Sequence, residues 1–213
     1  MRFKQNASVS TADGQEVGHI DRVVIDPKTK EVTHVVVRAG FLFTDDRVVP
    51  IELVAEATED RLDLREYADD LHNLPKFEET HYVRAPEDEN GRSAPVSGGF
   101  AGSLYSSVPV TTYAEPESGP RFVRQVAKNI PEGTVALRQG AKVLTEDGKL
   151  AGHVEEVLTD PETEQATHIL VSKGLLAKER RLVPGSWVRK IEENEIHLAV
   201  PANFYELLRL YKD

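Results

Sequence analysis

The sequence contains no cysteine. That absence excludes disulfides, thiolate metal sites and cysteine nucleophiles together. It also argues against a disulfide-built secreted protein, so a cytoplasmic location is expected. Long hydrophobic runs are missing as well. Apolar stretches such as Val35-Val36-Val37 fall far short of the ~20 residues a membrane span needs, and the opening MRFKQNASV has no apolar signal region. No membrane insertion is expected. Nor is there a surplus of positive charge: the net charge is −10, residues 7–65 carry 12 acids to 7 bases, and residues 141–199 carry 11 to 8. Affinity for nucleic acid comes mainly from Lys and Arg against phosphate, so a nucleic-acid partner is disfavoured. The short run Lys178-Glu179-Arg180-Arg181 reads as a solvated loop.

Catalytic signatures are absent too. Hydrolysis would call for a nucleophile with a positioned base; Ser and Thr are common, but there is no G-x-S-x-G elbow, no cysteine and no dinucleotide fingerprint. The adjacent acids Asp45-Asp46 and Glu192-Glu193 would point to opposite faces of a strand and read as solvated loops. A non-enzymatic protein without a cofactor is expected.

What the sequence does have is itself, twice. Adding 134 to a position between Ala7 and Val54 lands on its counterpart, and 20 of those 48 positions are identical without a gap. Gly14 meets Gly148, Gly18-His19 meets Gly152-His153, Asp26-Pro27 meets Asp160-Pro161, and Val49-Pro50 meets Val183-Pro184. Internal repetition decides the parse before any other signal. It gives a module at 1–79, a connector at 80–134 and a second module at 135–213.

Each module reads as short strands divided by turn chemistry. Phe3–Val9 and Leu137–Val143 open it, followed by the tight-turn pairs Asp13-Gly14 and Asp147-Gly148. Within Val17–Ile25 and Ala151–Thr159 the apolar positions step by three and then by two, which predicts a β-bulge in both copies. Asp-Pro-x-Thr at 26–29 and 160–163 suits a type I turn. Val32–Arg38 and Ala166–Lys173 are β-branched strands, and Arg47–Leu53 and Arg181–Trp187 follow. Leu62/Leu64 and Ile196/Leu198 alternate as a last strand. Ala68, Leu71, Leu74, Phe77 and Ala202, Tyr205, Leu208, Tyr211 then recur every three residues as a helical stripe, with Pro201 suited to the first turn. The expected fold class is mainly β: two small antiparallel barrels, because closure hides strand edges, each with a short C-terminal helix and joined by a partly flexible linker.

The run G-x-x-x-G-x-[IV]-x-x-V-x-x-D-P-x-T, then T-H-[VI]-[VL]-V-x-x-G-x-L, then R-[VL]-V-P, occurs in both copies and resembles the PRC-barrel domain. That family includes the cytoplasmic part of the photosynthetic reaction-centre H subunit and the C-terminal domain of a ribosome maturation factor. The resemblance implies a small β-barrel that works by binding other macromolecules rather than by catalysis.

The connector holds 6 of the 12 prolines and 6 of the 14 glycines, and Pro86–Gly102 and Glu115–Pro120 read as flexible linker. Leu104–Tyr113 between them is a candidate docking strand or partner-binding segment. Four of the seven histidines sit at repeat-equivalent positions: His19, His34, His153 and His168. If the 26–31 turn closes a hairpin, His34 lies opposite about residue 23, so one module cannot bring its two histidines onto a single ion at ~2.1 Å. These histidines read as structural, with a metal- or pH-responsive role as an alternative.

Contact surface remains. Phe41-Leu42-Phe43, and Leu175-Leu176-Ala177 in the second copy, are apolar triplets in a loop between strands, as expected of an interaction patch. Copy 2 adds Trp187 where copy 1 has Leu53, and aromatics of this kind anchor interfaces. The expected function is a protein-binding adaptor or scaffold with unidentified protein partners. Intramolecular pairing of the modules, or a homo-oligomer, is a further expectation. The alternatives are a ribosome-assembly accessory and a soluble accessory of a photosynthetic or electron-transfer complex.

Overall fold

The computed structural model describes residues 1–4, 6–39, 45–67, 71–84, 122–174 and 179–212. The first repeat contains β1 (Arg2–Lys4), β2 (Ser8–Ser10), β3 (Glu16–Ile25), β4 (Val32–Ala39), β5 (Arg47–Pro50), β6 (Val54–Ala57) and β7 (Arg61–Leu64). The second contains β10 (Val135–Arg138), β11 (Lys142–Leu144), β12 (Leu150–Thr159), β13 (Ala166–Lys173), β14 (Glu179–Pro184), β15 (Val188–Ile191) and β16 (Glu195–Leu198). Between them, β8 (Glu78–Arg84) and β9 (Phe122–Lys128) form a two-stranded sheet. The ends of the connector are therefore strands, and β8 runs across the expected module end at 79. Both repeats lie in one compact unit, Met1–Glu78 with Lys128–Asp213; Glu79–Ala127 form another.

The two repeats build matching sheets, in the orders β5-β4-β3-β2-β7-β6 and β14-β13-β12-β11-β16-β15. Not every pair is antiparallel. β2 runs parallel to β7 and β11 parallel to β16. The cause is the 3-10 turn that ends each expected strand at 47–53 and 181–187, namely Ile51–Leu53 and Gly185–Trp187. It carries the chain across from one end strand to the other without reversing it, so the first and last strands of a repeat point the same way. Among the described residues, the end strands β5 and β6, and β14 and β15, are joined by this turn and not by ladder hydrogen bonds.

The expected bulges are present. Register shifts between Ile20 and Arg22 and between Val154 and Glu156, leaving Asp21 and Glu155 as the extra residues. What the period of two did not reveal is what the bulge separates. Before it, β3 pairs with its own β2; after it, β3 pairs with β10 of the other repeat, Val135 opposite Ile25, Ala136 opposite Val24 and Leu137 opposite Val23. Reciprocally, β1 pairs with β12, with Arg2 opposite Leu158 and Phe3 opposite Val157. These are the same rungs displaced by one repeat length.

The single opening strand expected at 3–9 and at 137–143 is accordingly broken in two. The break falls at Asn6 and Gly140, both left-handed at φ 60 and 78, a conformation that glycine and asparagine tolerate. The first piece crosses to the other repeat and the second stays. A further reciprocal pair closes the seam: the Val32 N–H donates to the Glu164 carbonyl at 3.0 Å and the Ala166 N–H to the Lys30 carbonyl at 2.8 Å.

Phe3 and Leu137, the central residues of the exchanged strands, are both 0 % exposed in one apolar core shared by the two repeats. A second, smaller cluster of Val24, Val36, Val48, Phe77 and Ala136 covers the other face of β3 and β4. This accounts for the unbroken Val35-Val36-Val37, since a strand covered on both faces has no polar side to alternate with.

The strands also approach closely. A Cβ on Gly152 would sit 2.5 Å from the Ser172 carbonyl oxygen, and one on Gly18 would collide with that of Arg38. Gly152→Ala is therefore expected to cost about 1–3 kcal/mol by forcing β12 from β13, read as a lower urea midpoint at unchanged slope.

The terminal helix of the second repeat is shorter than the stripe predicts. In the second repeat α1 covers only Ala202–Tyr205, with Pro201 as its N-cap; in the first, residues 68–70 lie outside the described set. The helix stops because its last carbonyls and the chain beyond it have partners in the sheet. The Arg181 guanidinium donates to the carbonyls of Glu206 (3.2 Å) and Leu208, and the Tyr211 N–H donates to the Arg180 carbonyl at 2.7 Å. In the first repeat Arg47 donates likewise to the Leu74 carbonyl at 2.6 Å.

Candidate functional site

The seam between the repeats is fastened by ion pairs as well as strands. Glu156 has a fully buried carboxylate, and Arg2 of the other repeat grips both its oxygens, Nε to Oε1 at 2.5 Å and Nη2 to Oε2 at 2.8 Å. Beside it, Lys4 holds Glu59 at 2.6 Å; this contact keeps the Glu59 carboxyl below the usual carboxylate range and the Lys4 ammonium above its own. At the opposite seam Glu193, the repeat equivalent of Glu59, pairs with Arg22 and, at 2.5 Å, with Lys128. Burial works against the Glu193 charge, yet the two cations outweigh it and hold the carboxyl below its ordinary value. Glu193 keeps the expected loop position, in the bend between β15 and β16, but a cross-repeat cation claims its carboxylate.

The run 178–181 is corrected in the same way. Glu179, Arg180 and Arg181 are on β14, and Arg180 pairs with the bulge acid Glu155 at 3.1 Å. The other bulge acid, Asp21, is buried and pairs with Arg22 at 3.2 Å and with Arg38.

Of the residues expected to make contacts, Phe41, Leu42, Phe43, Leu175 and Leu176 lie outside the described residues, as does Leu104–Tyr113. Trp187 ends the 3-10 turn after β14, partly buried against the shared core. Its ring packs on Phe204 of α1, centroids 5.3 Å apart and planes inclined at 45°. Phe204 is 48 % exposed and Leu207, one turn on, is 76 % exposed. Expecting an amphipathic helix hid this pair, since Phe204 and Leu207 fall off the stripe 202-205-208-211. The signal was a comparison of copies: the first repeat has Asp70 and Asn73 at these positions.

On the other flank of α1 lies a cleft of about 300 Å³ lined by Lys149, Leu150, Lys173, Arg181 and Tyr205, among others. Burial pushes the Tyr205 hydroxyl up to about 12, so it stays protonated throughout the neutral range.

The four repeated histidines are not brought together within a repeat. His19 lies opposite Arg38 and His34 opposite Val24 on the same pair of strands. His153 lies opposite Ser172 and His168 opposite Leu158. Burial pushes the His34 imidazole below its ordinary value, with Glu52 opposing. A different group, Glu192, Glu195 and His197, does converge at the β15–β16 turn, its donor atoms within 4.8 Å of one another. There Lys190 already occupies Glu192 at 2.6 Å. Among the described residues no helix is long and apolar enough to cross a membrane.

Comparison with known families decides what the repeated sheet is. The model of the PRC-barrel domain matches residues 5–71 and, again, residues 139–203, together more than half of the chain. This chain belongs to the PRC-barrel family. Its two PRC modules begin, in the matched spans, directly after β1 and β10. The exchanged strands thus lie just outside the matched spans, while the strands that receive them, β3 and β12, lie within. No curated protein matches the chain.

Proposed function

We propose that this tandem PRC-barrel chain is a non-enzymatic adaptor or scaffold that binds other proteins, its two barrel-like sheets closing around the core they share. One observation carries the reading. The two modules keep the same strand order and the same exchanged rungs, but where the second has Trp187 and the exposed Phe204 and Leu207, the first has Leu53, Asp70 and Asn73 in sequence. Equal frames with unequal faces suit a body that presents two different surfaces in a fixed relation. Reciprocal strand exchange supplies that fixed relation, and a fixed pair of surfaces raises effective concentration at a second contact.

The test is affinity capture with the full chain against two variants, Phe41→Asp/Phe43→Asp and Leu207→Asp, each shown folded by circular dichroism. A protein captured by wild type and lost from one folded variant supports the adaptor reading. Equal capture by all three sinks it. Salt-sensitive recovery of RNA in place of protein would move the assignment to a ribosome-assembly accessory.

A further inference from the structure

We infer that the Trp187–Phe204 face of the second PRC module is a docking site for an acidic amphipathic segment of a protein partner, apolar on one side and carboxylate-bearing on the other. This deepens the protein-binding reading and rests on it. The apolar half of the argument is exposure: Phe204 at 48 % and Leu207 at 76 %, with the Trp187 ring packed on Phe204 at 5.3 Å. Side chains of this size left in water next to one another mark contact sites more than stability, because covering them would be favourable.

The electrostatic half fixes the partner's chemistry. Arg189, two residues beyond Trp187, and Arg209 and Lys212, on the segment that carries Leu207, are all exposed. None of these three cations has a carboxylate within ion-pair distance among the described residues. Glu206 is the one acid between Ala199 and Lys212. Asp147 reaches the start of α1, accepting the Ala202 N–H at 3.0 Å, but in a chain of net charge −10 three exposed cations without a carboxylate partner among the described residues, all within five residues along the chain of Trp187, Phe204 or Leu207, are a local excess of positive charge. Complementary charge of that kind selects partners and speeds encounter. The first module lacks every part of it: the positions equivalent to Arg189, Arg209 and Lys212 are Ala55, Pro75 and Glu78.

The molecule carries its own reporter, since Trp187 is the sole tryptophan. The test titrates the full chain with two synthetic 16-residue amphipathic peptides that share a Leu/Phe face, one with glutamates and one with lysines on the other side. Vesicles containing phosphatidylglycerol form a third arm. The expected result is a saturable blue shift of Trp187 emission with the glutamate peptide and at least ~10-fold weaker binding of the lysine peptide. Affinity should fall about 10-fold in Arg209→Glu and in Leu207→Ser, and fall with added salt. No shift with the glutamate peptide, or equal binding of the two peptides, overturns the inference. A shift with vesicles and not with peptide overturns it in favour of an anionic lipid surface. If the peptide fails while Phe41→Asp/Phe43→Asp still abolishes capture of a protein, the adaptor reading stands and only this surface is wrong.

Discussion

Cutting the connector is expected to leave the two halves bound. With a protease site placed between residues 85 and 121, the cleaved chain should run as one species in gel filtration and separate only in denaturant. Neither half can complete its own sheet. Residues 1–84 leave Val23, Val24 and Ile25 without the rungs of β10, and residues 122–213 leave Val157 and Leu158 without β1. Each half would also withdraw a fully buried side chain, Phe3 or Leu137, from the shared core. Truncating such a residue costs about 3–5 kcal/mol, a large share of the 5–15 kcal/mol that holds a typical domain together. Expressed singly, either half is therefore expected to be unfolded or aggregated, and mixing the two from denaturant should restore the native far-UV spectrum. Phe3→Ala should weaken the cleaved pair most visibly through Trp187, a residue of the other repeat. Two independently folded monomers after cleavage would refute the exchanged architecture.

Replacing Arg2 by alanine is expected to destabilise the protein by about 3 kcal/mol, although Arg2 looks from the sequence like an ordinary N-terminal charge. Its removal strands the Glu156 carboxylate at 0 % exposure, and a buried charge without its partner costs about 3–5 kcal/mol. The low end applies because the Arg2 side chain is 32 % exposed, so water reaches part of the site. A double variant separates this from lost packing. Arg2→Met/Glu156→Met should recover most of the loss, because a matched apolar pair strands no charge. Urea denaturation of wild type, Arg2→Ala and the double variant measures it, and no recovery in the double variant would mean that Arg2 contributes packing alone.

The bulges, the Asp-Pro turns and the strand identities were legible because each depends on neighbours along the chain. The three-step from Ile20 to Val23 reports the bulge wherever β3 goes, and Asp26 caps its own turn by accepting the Lys28 N–H at 2.7 Å. The helical stripe misled because period three is also what a single turn followed by a returning chain produces. Leu210 makes an isolated bridge to Arg181, and no local pattern distinguishes that bridge from a third helical turn. Charged residues were misjudged for the same reason: Glu193 and Arg180 look solvated until a cross-strand or cross-repeat partner is in place.

By itself the sequence determined two copies of one PRC module, mainly β, with an acidic and cysteine-free composition, since repetition, composition and turn chemistry need no knowledge of the third dimension. Only the tertiary structure decided that each copy lends its first strand to the other. A strand's hydrogen-bonding edge is backbone, the same in Phe3–Lys4 whether it pairs with its own repeat or the next. Which edge it finds is settled by burial of Phe3 and by the charge match of Arg2 with Glu156, 154 residues apart in the chain.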